Sequence, residues 1–228
     1  MRPPSFSAPT PAPPTRARLL TTARTAALFG VLSALVVALV AARWGPLLSF
    51  DHSSADTLHH WAVADRSATR VNRVFTDWVW DPWTMRLLTA AAVIVVWRRG
   101  DRTAALCVAA ASVLSAVLQQ GLKSAVGRAR PHWPDPVDSA HYAAFPSGHA
   151  MTATVACGLL LWLLWHREPP RWVWIAAVAV AAVSVAGVGF TRLWLGVHWF
   201  SDVLGGWLLG VFLVALTIAA YGRLSGRR

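Results

Sequence analysis

PSGHAMTATVACGLLLWLLW, residues 146–165, decides the fold. Pro146 and Ser147 are helix-starting residues, Ser147 because its hydroxyl can cap free N–H groups. From Ala150 to Trp165 no charge interrupts the run. A helix over 147–165 approaches the roughly 20 residues that cross a bilayer. Runs of the same character, rich in Ala, Val, Leu and Trp, flank it at 26–42, 83–98, 103–122, 172–190 and 198–220. The expectation is an all-α polytopic membrane protein, a six-transmembrane-helix bundle. The run at 83–98 is short for a span unless its helix starts earlier, around Trp78–Trp83.

Composition supports this reading. Of 228 residues, 56% are hydrophobic and only 14% charged, against roughly 25% charged in soluble domains. That excludes an ordinary cytosolic globule and, for most of the chain, intrinsic disorder. The 14 Trp suit membrane–water interfaces. A formal net charge of +11 would fit nucleic acid or anionic lipid, but the charge lies between apolar runs and no nucleic-acid motif accompanies it. The expected partner is the bilayer, with no nucleic acid. Cys107 and Cys157 lie inside apolar runs without a CxxC spacing, so neither a disulfide framework nor a zinc site is expected.

Basic residues orient the bundle. Residues 1–23 are expected to be a disordered tail, 24–222 the membrane domain, and 223–228 a basic tail. Arg2, Arg16, Arg18 and Arg24 at one terminus, Arg98, Arg99, Arg102, Arg167 and Arg171 in two short connections, and Arg223, Arg227 and Arg228 at the other terminus lie between spans on one side. The positive-inside rule makes that side cytoplasmic. The expected location is the cell membrane, multi-pass, with both termini cytoplasmic. A signal peptide ending near Val40-Ala41-Ala42 competes for the first run, but that run exceeds the usual 7–15 apolar residues. In loop 44–82, Leu58, Trp61, Ala62, Ala68, Val71, Phe75, Trp78 and Val79 recur at near-helical spacing. That predicts a helix lying in the outer interface, with His59 and His60 on its solvated face.

Costly residues gather at the outer helix ends, where an ionisable group is a functional hypothesis by default. Lys123, the single lysine among 21 Lys+Arg, and Arg130 with Pro131 close the third span. Each could simply snorkel to the interface, or grip phosphate oxygens. Ser147, Gly148 and His149 present free N–H groups at the positive end of a helix dipole, an anion site. Gly148 permits close approach, and His149 is placed to donate a proton; an ordinary cap is the competing account. Thr191 and Arg192 precede His198 and Asp202, which stand four apart and can pair. Asp202 would fix the imidazole tautomer; a purely structural pair is the alternative. Few acids lie between 103 and 202, so no carboxylate cluster for Mg²⁺ is apparent. Together the three segments predict a phosphate site with no metal and no cofactor.

Lys123…Arg130-Pro131, Pro146-Ser147-Gly148-His149 and Thr191-Arg192…His198…Asp202 resemble the three motifs of the type-2 phosphatidic acid phosphatase superfamily, with Thr191 where Ser is usual. The resemblance implies that His198 attacks phosphorus to form a phosphohistidine and that Asp202 orients it. It implies that His149 protonates the leaving group and then activates water. Lys123, Arg130, Arg192, Ser147 and Gly148 would hold the phosphate oxygens. The implied function is a membrane lipid phosphate phosphatase, acting on a phosphatidate-like lipid or undecaprenyl pyrophosphate at an outward-facing site. A vanadate-dependent haloperoxidase-like enzyme and a non-catalytic lipid-phosphate binding or transport protein are the alternatives.

Overall fold

The computed structural model describes residues 16–226, and within them the chain is helical without strands. Its helices are α1 (Arg16–Ala41), α2 (Gly45–Ala64), α3 (Arg66–Val74), α4 (Pro82–Arg98), α5 (Arg102–Val126), α6 (Gly148–Trp165), α7 (Arg171–Trp194) and α8 (Phe200–Ser225). Among the described residues, six helical stretches are long and apolar enough to cross a membrane, matching the six expected runs. Residues 1–15, most of the expected tail, lie outside the described residues, as do 227–228. Helix α1 already begins at Arg16, so 16–23, expected to belong to the disordered tail, are helical.

Helices α6 and α8 form the centre. Half of each is buried, against about a fifth of the other four spans. On α6, Met151, Val155, Leu159 and Trp162 recur at helical spacing. They meet Leu209 and Leu213 of α8 and Ala104, Ala105, Val108 and Ala111 of α5. Bilayer and side chains are equally apolar, so close packing rather than water exclusion joins such helices. Gly206 and Gly210 permit it. A Cβ on Gly206 would lie 2.7 Å from the Ser147 carbonyl oxygen, and one on Gly210 2.6 Å from Thr154 Cβ. The four-residue spacing of small residues therefore brings the start of α6 directly onto the first half of α8. Large apolar side chains elsewhere, among them Leu87, Leu88, Ile94, Val113, Val117, Val180 and Val183, face outward as a lipid-covered surface would.

Loop 44–82 holds two helices rather than one. Asp65 ends α2 and caps α3, its carboxylate accepting the N–H groups of Ser67 and Ala68. Of the apolar stripe, Trp61, Val71, Phe75, Trp78 and Val79 are exposed and Ala62 is buried. The inward face of α2 is Asp51, Ala55, His59 and Ala62. His59 is thus not on a solvated face. It is buried, stacks on Trp133 at 4.0 Å between ring centroids, and meets Asp135 at 2.9 Å. Only His60 is exposed as expected. The second candidate span, Arg66–Arg98, joins α3, a wide π-helical turn over Phe75–Val79 and α4, so it starts before residue 83. Asp81 caps α4.

Candidate functional site

The ends of α5, α6, α7 and α8 converge on one side of the bundle, and the irregular segment 127–147 folds over them. Lys123 occupies the last turn of α5 and donates to the Ala143 carbonyl. Arg130 is held by backbone acceptors. Its Nε donates to Tyr142 O at 2.9 Å, Nη2 to His141 O at 3.1 Å, and Nη1 to Val197 O at 2.5 Å. Arg192, in the last turn of α7, is buried; its Nη1 reaches Thr76 Oγ1 of the π turn at 3.3 Å. Its Nε is buried without a partner, an orphan that calls for an explanation. These three cations belong to none of the ion pairs found among the described residues.

His198 lies between α7 and α8. Its Nδ1 is 3.3 Å from Asp202 Oδ2, and its Nε2 is 3.1 Å from Arg130 Nη1. A guanidinium can only donate, so Nε2 carries the lone pair and Nδ1 carries the proton toward Asp202. In this tautomer Nε2 is the basic nitrogen, and its lone pair faces Arg130. Burial, followed by the charges of Arg130, Arg192 and Lys123, holds the imidazole pKa well below 6.5.

Asp202 has a closer partner than the histidine. Oδ1 accepts from Arg128 Nη1 at 2.7 Å, and Oδ2 also accepts the Trp199 N–H at 2.9 Å. Arg128 Nη2 meets Asp51 Oδ2 at 2.7 Å. Asp51, fully buried, also accepts from the Ser201 backbone N–H and hydroxyl, at 2.9 and 2.6 Å. Behind His198 runs a chain of alternating charge: Asp202, Arg128, Asp51. Sequence reasoning missed Arg128, Asp51 and Ser201. Arg128 stood inside the first motif segment as apparent spacing, and Asp51 lies 77 residues away from it.

Ser147 caps α6 as expected, but weakly, accepting from the Ala150 N–H at 3.5 Å. Its own N–H is not free for an anion, as the sequence suggested, because it donates to Asp202 O at 2.9 Å. The N–H groups of Gly148 and His149 remain, the first two of α6, which no carbonyl of their own helix can reach. A Cβ at Gly148 would meet Gln119 Nε2 at 2.5 Å, so only glycine fits there without displacing that side chain. Lys123, Arg130, Gly148, His149, Arg192 and His198 line one cleft of about 320 Å³, within the roughly 300–1,000 Å³ of small-molecule sites. Ser147 and Asp202 stand behind its wall and do not line it. The set can bind a multiply charged anion against a neutral imidazole nitrogen, with a second imidazole nearby.

The described helices thus form a bundle of six candidate spans with a cationic, histidine-bearing cleft at one end. The chain belongs to the PAP2 superfamily: that family's model matches residues 104–225, which contain all three motif segments. The chain is 30% identical to an undecaprenyl-diphosphatase of Sulfolobus acidocaldarius over 152 residues, 62% of this chain and 63% of that protein. It is 34% identical to phosphatidylglycerophosphatase B of Bacillus subtilis over 105 residues, 44% and 49% of the two chains. The matches thus span about half to three fifths of these relatives' length. The fold is that of a transmembrane PAP2 type phosphatidylglycerolphosphate phosphatase from Bacillus subtilis, with a TM-score of 0.75 at 21% identity, covering 90% of this chain and 99% of that one. The protein is a multi-pass membrane protein.

Proposed function

We propose that this protein is a lipid phosphate phosphatase that hydrolyses a phosphomonoester or diphosphate lipid through a phosphohistidine. The observation that carries the reading is His198 Nε2 in a cleft ringed by Lys123, Arg130 and Arg192, cations that join none of the ion pairs among the described residues. The names of the relatives, an undecaprenyl-diphosphatase and a phosphatidylglycerophosphatase, support it. His198 Nε2 bonds to phosphorus as the P–O bond to the leaving oxygen breaks, and that oxygen, the alcohol of a monoester or the bridging oxygen of a diphosphate, takes a proton from His149. Water then attacks phosphorus, His149 accepts its proton, the P–N bond breaks, and orthophosphate departs. The three cations and the Gly148 amide stabilise the equatorial oxygens, the main work in phosphoryl transfer.

Orientation follows from charge. Six passes return the chain to its starting side, and the connections opposite the cleft carry Arg98, Arg99, Arg102, Arg167 and Arg171. The positive-inside rule supports cytoplasmic termini and a cleft facing the extracytoplasmic side of the cell membrane.

Purified protein should release orthophosphate from at least one of phosphatidate, lysophosphatidate, phosphatidylglycerophosphate and undecaprenyl diphosphate, and EDTA should leave the rate unchanged. Loss of activity with EDTA, restored by a divalent cation, would contradict the mechanism.

The pH profile gives a second test. Because the His198 pKa is lowered, the neutral nucleophile persists as pH falls through 6.5. The acid limb of kcat/KM should therefore lie below that value. Arg130→Gln removes one of the charges depressing the imidazole, so the acid limb should move upward. The same sign governs stability. Below about 6.5 the unfolded chain binds a proton at this histidine that the folded chain refuses, so stability falls with pH there. An acid limb at or above 6.5, the value of an unperturbed histidine, would rule out the assignment.

A further inference from the structure

Arg86 belongs to no motif and to none of the elements that carry them. It is the one charge between Pro82 and Trp97 in the otherwise uncharged body of α4. A charge inside a membrane helix is costly and turns toward the bundle interior or a polar cavity. Arg86 does so: half-buried, it lines the cleft beside Lys123 and His149. It is also the one residue shared with a smaller pocket of about 20 Å³ between α4, α5 and α6, lined by Thr89, Ser112, Ser115 and Thr152 together with Ala116, Val155 and Ala156. Its guanidinium lies over the Trp83 ring, 5.3 Å from the centroid, and it joins none of the ion pairs among the described residues. Asp81 lines the same cleft, but its Oδ2 already accepts the Trp83 and Thr84 N–H groups at the start of α4.

The transferred phosphoryl group has three equatorial oxygens, and Lys123, Arg130 and Arg192 supply three cations for them. Arg86 is a fourth, on a separate wall. One phosphate does not require it; a second phosphate bridged to the first gives it a partner, since that group brings further negative charge and paired acceptor oxygens suited to a guanidinium fork. We propose that Arg86 binds the second phosphate of a diphosphate ester, so that this protein favours diphosphate over monophosphate lipids. The proposal rests on the phosphatase reading above and selects its substrate class.

Binding and turnover test it separately. Tryptophan fluorescence of the full chain in detergent micelles would follow titration with inorganic pyrophosphate and with orthophosphate. Arg86→Gln should weaken pyrophosphate about tenfold while orthophosphate changes less than about twofold, and Arg86→Lys, which keeps the charge without the fork, should fall between. In turnover, Arg86→Gln should lower kcat/KM at least about tenfold for a prenyl diphosphate and leave the prenyl monophosphate within about threefold. Equal losses for both ligands, or no loss for either, would overturn the proposal. So would an equal loss for phosphatidylglycerophosphate, whose second phosphate is remote from the scissile one. Wild-type protein that releases phosphate from no lipid would overturn the phosphatase reading instead, with the binding titrations still deciding the role of Arg86. Thermal unfolding of both variants shows whether a loss reflects folding.

Discussion

His198→Ala should lower phosphate release by at least about a thousandfold, the scale seen when a nucleophile is removed from an enzyme whose other groups remain. Binding should survive. Lys123, Arg130 and Arg192 are untouched, and Asp202 keeps Arg128 and the Trp199 N–H as partners, so no buried carboxylate is stranded. Orthophosphate should therefore bind the variant within a fewfold of the parent. An alkaline quench during turnover of labelled lipid, conditions under which a P–N bond to imidazole survives, should trap label on the parent protein and none on the variant. Turnover persisting within tenfold of the parent would remove His198 from the nucleophile's role.

Asp51→Asn should produce the second largest effect, although Asp51 lies outside the cleft lining and outside the matched family region. Its carboxylate holds one edge of Arg128 and both polar groups of Ser201. Without that charge, Arg128 is balanced by Asp202 alone. Asp202 then becomes a poorer acceptor for the His198 N–H, and Ser201 loses a charged anchor. A hydrogen bond to a charged group contributes about 1.5–3 kcal/mol, and each 1.36 kcal/mol in a barrier is a factor of ten. A fall in kcat of roughly tenfold to a hundredfold is expected, with KM nearly constant because the three cleft cations are unchanged. Breaking a buried pair from one side also destabilises, by about 3–5 kcal/mol, so the melting temperature in detergent should drop as well. Unchanged kcat would mean that the Asp51–Arg128 pair serves folding alone.

The features legible in the sequence were those written in contiguous residues. Hydropathy reveals six spans because each is a long apolar run with at most one charge inside it, and Ser147 is readable as a cap because capping is local. Lys123, Arg130, His149, Arg192 and His198 were readable because costly residues at the ends of apolar runs stand out. Pairing across long separations was not. Asp51 reaches Ser201 across 150 positions, and nothing about an aspartate early in loop 44–82 indicates burial. The near-helical apolar stripe of loop 44–82 puts His59 on a solvated face, yet the Trp133 ring stacks on it. The use of the Ser147 N–H was equally invisible, since its acceptor is a backbone carbonyl of Asp202. Side-chain patterns carry no record of such a bond.

That backbone bond, together with Gly206 lying against the Ser147 carbonyl, has an evolutionary consequence. The second and third motif segments are fastened main chain to main chain, so side chains around the cleft can change without letting the two halves drift apart. Lineages could then explore new headgroups by altering the α4 wall, where Arg86 sits, while the reacting groups keep their spacing. Diversity of substrate within one superfamily is what such a division between a fixed floor and a variable wall would allow.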